Sequence, residues 1–251
     1  IGRAIEPGSV FKTVTLMQVL SDGFITSLDE TIPTNHGVIK GVRSVPQDVH
    51  MLDHERVHKT NSISIIDGFK ISSNYVFGTL AVSNYGKKPM RFVENVHSYH
   101  LAEAFDLDGL ATPTVPSPND KNRYWSMSDL AVNGYGYGIR VTPLHVLSFY
   151  NAIANKGKMM KPYLVEDIEL NGVVKNKKGP ALMSTICSKA VADTITRALK
   201  AVTEEGTARR LKDARCTVAG KTGTSFGTYA GGSYRDESGR RKYQGTFVGF
   251  F

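Results

Sequence analysis

The sequence predicts an α+β fold, and three observations carry that reading. Helical periodicity recurs along much of the chain, strand-like runs are few and come late, and no linker or internal repeat divides the 251 residues. That length is enough for one large domain with a substantial buried core. Hydrophobic residues at 41% and charged residues at 22% are ordinary for a globular chain.

Taken in order, Pro7-Gly8 marks a turn into a helix over residues 9–23. Val10, Phe11, Val14, Met17 and Leu20 fall at helical spacing there, and Gly23 suits the C-terminal cap. Residues 31–60 mix prolines and glycines with polar residues and read as loops and short strands. A short helix is expected over 64–70, where Ser64 and Asp67 have capping-box spacing. Another is expected over 74–85, stopping at Gly86 with Pro89 beyond. Residues 111–123 hold three prolines and read as irregular. Thr142-Pro143 opens a helix that Gly157 closes, and 193–204 is expected to be helical too. Two strand-like runs follow, 217–225 and 246–251, joined by a glycine-rich stretch that fits a long hairpin with a mobile tip.

The net charge of +8 is carried by scattered lysines and arginines. The densest cluster, Arg235, Arg240, Arg241 and Lys242, is interrupted by Asp236 and Glu237, and no nucleic-acid-reading motif accompanies it, so no nucleic-acid partner is expected. Cys187 and Cys216 form no disulfide framework and read as small buried residues. His50, His54 and His58 have helical spacing, but the HExxH order is absent and no metal site is assigned. No cofactor is implied. Trp125 and Tyr135 read as core or groove wall, whereas Tyr229 and Tyr234 sit where a hairpin tip could meet a ligand. No run of 18 apolar residues exists. The chain begins at Ile1 as if within a domain, which leaves room for a signal or an anchor upstream.

Three short motifs carry chemistry. In Ser9-Val10-Phe11-Lys12, residues i and i+3 share a helical face, so the Lys12 amine can reach the Ser9 hydroxyl. A serine needs such a base, and lysine can serve when burial and neighbouring cations lower its pKa. Alone, the spacing equally fits a helix N-cap with a solvated lysine. Ser72-Ser73-Asn74 also reads as an N-cap in isolation. In the functional reading, Ser72 bridges two lysines and relays a proton, Asn74 holds Lys12 and a substrate backbone, and Ser73 lies against substrate. Lys221-Thr222-Gly223-Thr224 falls on a strand whose edge can accept an extended peptide. Gly223 would let that peptide approach, Thr222 and Thr224 would offer hydroxyls to a carboxylate, and the N–H groups of Ser9 and Thr224 would form an oxyanion hole. The three motifs fall in this order along the chain, and together they match the active-site-serine set of penicillin-interactive enzymes.

The chain thus resembles the class B penicillin-binding proteins, in Glu6-Pro7-Gly8-Ser9, Gly136-Tyr137-Gly138-Ile139, Val141-Thr142-Pro143-Leu144, Ala152 to Gly157, Lys161-Pro162 and Glu205-Gly206-Thr207-Ala208. The likeness spans essentially the whole chain and is nearest to the septal, cell-division type. The resemblance implies an antiparallel sheet flanked by helices and a D,D-transpeptidase activity. It also implies acylation of Ser9 by β-lactams, with stem peptides, lipid-linked precursor and other division proteins as partners. It implies a place at the periplasmic face of the inner membrane through an N-terminal anchor. The family's flanking strands fall outside residues 1–251, so a single transpeptidase domain with a truncated sheet and open edges is expected. A β-lactamase or D,D-carboxypeptidase would share the three motifs, as would a non-catalytic β-lactam sensor.

Overall fold

The computed structural model describes residues 2–177, 179–227, 235 and 238–251. At its centre lies α1 (Lys12–Ser21), continued backwards by a 3₁₀ turn, Gly8–Phe11. Every residue of α1 from Lys12 to Val19 is buried, as befits a helix enclosed on all sides. Gly23 follows it with φ +72, the left-handed step that ends a helix.

Around α1 the chain lays β1 (Thr31–Pro33), α2 (Val49–His58), β2 (Ser62–Ser64), α3 (Ile65–Lys70), α4 (Asn74–Tyr85) and α5 (Pro89–Ser98). Next come α6 (Met127–Gly134), α7 (Pro143–Ala154), β3 (Lys158–Met160), β4 (Asp167–Leu170), β5 (Val173–Lys177) and β6 (Leu182–Thr185). The chain closes with α8 (Lys189–Glu204), β7 (Ala219–Gly227) and β8 (Lys242–Phe250). α1 packs on α4, α5 and α8, and β7 lies across α8 and the 3₁₀ turn. β7 and β8 pair antiparallel in unbroken register from Ala219↔Phe250 to Gly227↔Lys242.

The α+β class holds, and among the described residues every sheet has two strands. Ser64 caps α3, accepting the Asp67 N–H at 3.1 Å, while Asp67 Oδ2 takes the Ser64 hydroxyl at 2.6 Å in place of the backbone N–H that a full capping box uses. Thr142 caps α7 and Pro143 takes its first turn. Several elements correct the sequence reading. Residues 49–58 form a helix, not a loop: Asp48 Oδ1 accepts the His50 N–H and Lys59 ends α2 in the left-handed region. Only Met51 of α2 is buried, so the helix leaves almost no apolar stripe in the sequence. Helix α4 ends at Tyr85 with Gly86 as its cap, as expected, but Pro89 beyond it also opens a further helix, α5, where its missing N–H costs nothing. Helix α6, the hairpin β4–β5 and the pair β3–β6 were also unanticipated, and α8 starts at Lys189 because Ser188 caps it. Cys187 is buried as expected, but Cys216 is exposed. The histidines of α2 have local partners, with His54 Nε2 donating to the Ser62 carbonyl at 3.0 Å and its ring 4.6 Å from that of His58. Tyr135 is buried and Trp125 packs against the core. The hairpin tip with Tyr229 and Tyr234 lies outside the described residues.

Candidate active site

The nucleophile turn is held by contacts that leave little room. Gly8 has φ +58 and donates its N–H to the Gly136 carbonyl at 3.0 Å. A Cβ on Gly8 would lie 2.6 Å from the Thr224 carbonyl oxygen, so β7 presses directly on the turn. Glu6 accepts the Gly138 N–H at 2.9 Å, tying the Gly136-Tyr137-Gly138 loop to the same turn. From behind, the buried Tyr150 hydroxyl donates to the Val10 carbonyl at 2.9 Å and contacts Thr13 Oγ1 at 2.6 Å.

The three motifs converge on one buried amine. Lys12 is fully buried, and its Nζ donates to Ser9 Oγ at 2.9 Å, to Ser72 Oγ at 3.2 Å and to the Ser72 carbonyl. Three acceptors match the three donors of an ammonium. Lys221, also fully buried, donates to the same Ser72 Oγ at 2.8 Å and to the Thr222 carbonyl at 3.2 Å. It lies 5.5 Å from the centre of the Phe69 ring. Ser72 thus bridges the two amines, with Ser9 on the far side of Lys12. Burial, then the nearby Lys221 charge, hold the Lys12 amine well below the usual lysine range, while the Asp48 carboxylate acts in the opposite direction. Burial lowers Lys221 to about 7.

Ser72 owes this reach to its backbone. Its φ is +60, a left-handed conformation costly for a serine, which turns both carbonyl and hydroxyl toward Lys12. The expectation that the Asn74 amide holds Lys12 is therefore corrected, because the Ser72 carbonyl takes that place. Asn74 stands exposed at the first position of α4. Ser73 is corrected too. It is fully buried, donates to Asp48 Oδ2 at 2.7 Å and accepts the Val76 N–H at 3.1 Å, so it caps α4 and does not face a ligand.

On β7, side chains alternate as a strand requires: Lys221, Gly223 and Ser225 are buried, while Thr222 is half-buried and Thr224 exposed. The glycine has a different reason from the one expected. A Cβ at Gly223 would lie 2.9 Å from Val10 Cγ1 and 3.2 Å from the Pro7 carbonyl, so the space is filled by the chain's own nucleophile turn. Thr222 Oγ1 lies 2.6 Å from Thr207 Oγ1, and Tyr137 donates its hydroxyl to the Thr224 carbonyl at 2.9 Å. In an extended strand the N–H and C=O of one residue leave by the same edge, so the Thr224 N–H faces the Ser9 turn and not β8. Sequence reasoning overlooked Asp48, the hydroxyls of Tyr137 and Thr207, and Tyr150. Tyr137 and Thr207 lay inside segments that carried the family resemblance, but no spacing rule points to their contacts. Among the described residues no three His, Cys, Asp or Glu side chains converge on a metal position.

A family model described as the penicillin binding protein transpeptidase domain matches residues 1–251. The peptidoglycan D,D-transpeptidase FtsI of Buchnera aphidicola is 27% identical over 98% of this chain and 38% of its own length. The penicillin-binding protein PbpB of Mycolicibacterium smegmatis is 26% identical over 90% of this chain and 34% of its own. The chain spans about a third of the length of the curated relatives it matches. Among solved structures, the D,D-transpeptidase domain of a peptidoglycan glycosyltransferase from Eggerthella lenta superposes with a TM-score of 0.79 at 26% identity, over 99% of this chain and 57% of that one. Penicillin-binding protein 3 from Mycobacterium tuberculosis, complexed with ampicillin, gives 0.77 at 25% identity, over 98% and 52%.

Proposed function

The chain belongs to the penicillin-binding protein transpeptidase domain family, and from that premise we propose that it is a peptidoglycan D,D-transpeptidase acylated on Ser9. Neutral Lys12 takes the Ser9 proton as Oγ attacks the penultimate D-alanine carbonyl of a stem peptide. The N–H groups of Ser9 and Thr224 hold the oxyanion, and Ser72 delivers a proton to the departing D-alanine nitrogen. Lys221 holds the Ser72 hydroxyl, Asn74 meets the substrate backbone, and Thr222 and Thr224 take the terminal carboxylate. An amine of a second stem peptide then attacks the ester, forming the cross-link and freeing Ser9. A β-lactam enters the same path, but its opened ring keeps the leaving nitrogen attached.

The observation that carries this reading is the continuous chain of hydrogen bonds Ser9–Lys12–Ser72–Lys221, which couples one hydroxyl to two buried amines. Lipid-linked precursor and stem peptides are the proposed substrates, β-lactams the covalent inhibitors, and other division proteins the partners at the septum. The proposed location is the periplasmic face of the inner membrane, through an anchor outside these residues; none of the described helices is long and apolar enough to cross a membrane.

An acyl-transfer assay tests the reaction. With a D-alanyl thioester analogue as donor and a free D-amino acid as acceptor, the expected product is the new amide, growing with acceptor concentration. Hydrolysis alone, unaffected by acceptor, would instead identify a carboxypeptidase or β-lactamase. No turnover together with a long-lived penicillin adduct would identify a sensor.

A further inference from the structure

The segment between β1 and β2 contributes nothing to the hydrogen-bonded chain just described, yet it delivers one buried carboxylate to its rear. Asp48 is 8% exposed. Its Oδ2 accepts from Ser73 Oγ at 2.7 Å and from the Tyr75 N–H at 2.9 Å, and its Oδ1 accepts from the His50 N–H at 3.0 Å. One carboxylate therefore caps both α2 and α4, whose first N–H groups have no partners within their helices. Its backbone is pinned as well. The Asp48 N–H donates to the Gly37 carbonyl at 3.0 Å, and Gly37 has φ +75 with no room for a Cβ, which would lie 2.3 Å from the Asp48 carbonyl oxygen. The surrounding loop is fastened in turn. Tyr75 donates its hydroxyl to the Pro33 carbonyl at 2.6 Å, and Glu55 accepts from the Thr34 hydroxyl and from the His36 ring at 2.7 Å.

The neighbour of the anchored Ser73 is Ser72, whose left-handed backbone has to be held from outside if its carbonyl and hydroxyl are to stay on Lys12. We propose that Asp48 is a positioning residue of this site: its buried carboxylate clamps Ser73 and the start of α4 to α2, and so holds Ser72 in the conformation that engages Lys12. This rests on the acyl-transfer reading of Ser9. The clamp also brings a negative charge to a site with two amines. The charged and titratable groups facing this pair are Lys221 from β7, which lowers Lys12, and Asp48 itself, which raises it. Tyr135, after α6, feels the Asp48 charge, and His50 on α2 meets Asp48 through its backbone N–H.

Two substitutions in the full chain test this, each followed by the rate of acylation by a fluorescent penicillin across the acid-to-neutral range. Asp48→Asn keeps the shape but removes the charge and the second strong acceptor. Its acylation rate is expected to fall by up to about 100-fold, the scale of a displaced catalytic group. Its acid limb is expected to move to lower pH, because the Asp48 charge favours the protonated amine and its loss makes Lys12 easier to deprotonate. The limb's position does not depend on how much of the variant is folded. Ser73→Ala breaks the clamp but keeps the charge, so a slower rate with an unmoved limb is expected; it serves equally if Asp48→Asn fails to fold. Wild-type rates in the folded variants, or an unmoved limb in Asp48→Asn, overturn the inference. Labelling that survives Ser9→Ala would instead overturn the acyl-transfer reading on which it stands.

Discussion

Ser9→Ala is expected to abolish covalent labelling by β-lactams and leave the fold intact. The Ser9 side chain is only half-buried, and its hydroxyl's contact in the site is with Lys12. Removing that oxygen leaves Lys12 with both oxygens of Ser72 as acceptors, so the buried amine is not orphaned. Thermal stability should stay level or rise slightly, as happens where a site has been shaped for activity over stability. No adduct is expected, because in the proposed reaction the acyl group is carried by the Ser9 hydroxyl. Intact-protein mass spectrometry after penicillin exposure reads the result as one added mass in wild type and none in the variant.

Lys12→Met should have the second-largest effect. Methionine approximates the length of the lysine stem in a fully buried position, so packing is largely kept. The variant loses the desolvation cost of an amine but leaves the Ser72 carbonyl without its partner. These terms oppose each other at about 1–3 kcal/mol each, and the net change in stability should be small. Acylation, in contrast, should slow by about 10²- to 10⁴-fold, the usual contribution of a placed general base. The pH dependence gives the sign. Wild-type acylation rises with pH as Lys12 loses its proton, through a value held below the ordinary 10.5 by burial and by Lys221. In Lys12→Met that limb should vanish, leaving a slow rate with a flat profile over the same range. A surviving limb would assign the base to another group.

Much of this site is legible in the sequence because its chemistry is carried by short motifs with fixed internal geometry. Ser9 and Lys12 sit three residues apart on a helical turn, and Lys221 leads a strand whose alternation decides which side chains are buried. Ser72 is expected on the two lysines from its motif; what the sequence hides is that its neighbour Ser73 turns away to Asp48. Ser72 and Ser73 are chemically identical, and the choice depends on a single left-handed φ that side-chain type alone would not suggest. Asp48 is hidden for a different reason: it acts on Ser73, 25 positions further along the chain, and before α2 it looks like any polar residue in a loop. Helix α2 escaped notice because its exposed histidines and charges give no apolar stripe, whereas α5 was obscured by a proline read as an end and not a beginning. Gly223 shows the converse error. A glycine facing a neighbouring backbone was foreseen, but the neighbour is Pro7 and Val10 of the same chain.

The chemistry depends on an amine whose pKa is held well below the usual lysine range because it is buried beside a second amine. Lysine side chains labelled with ¹³C and followed by NMR through a pH titration measure this directly, with the Lys12 signal assigned by its absence from Lys12→Met. The expected result is a Lys12 midpoint well below that of the surface lysines, moving upward when Lys221 is replaced by a neutral residue. A Lys12 midpoint at the ordinary 10.5, together with the exposed lysines, would contradict it.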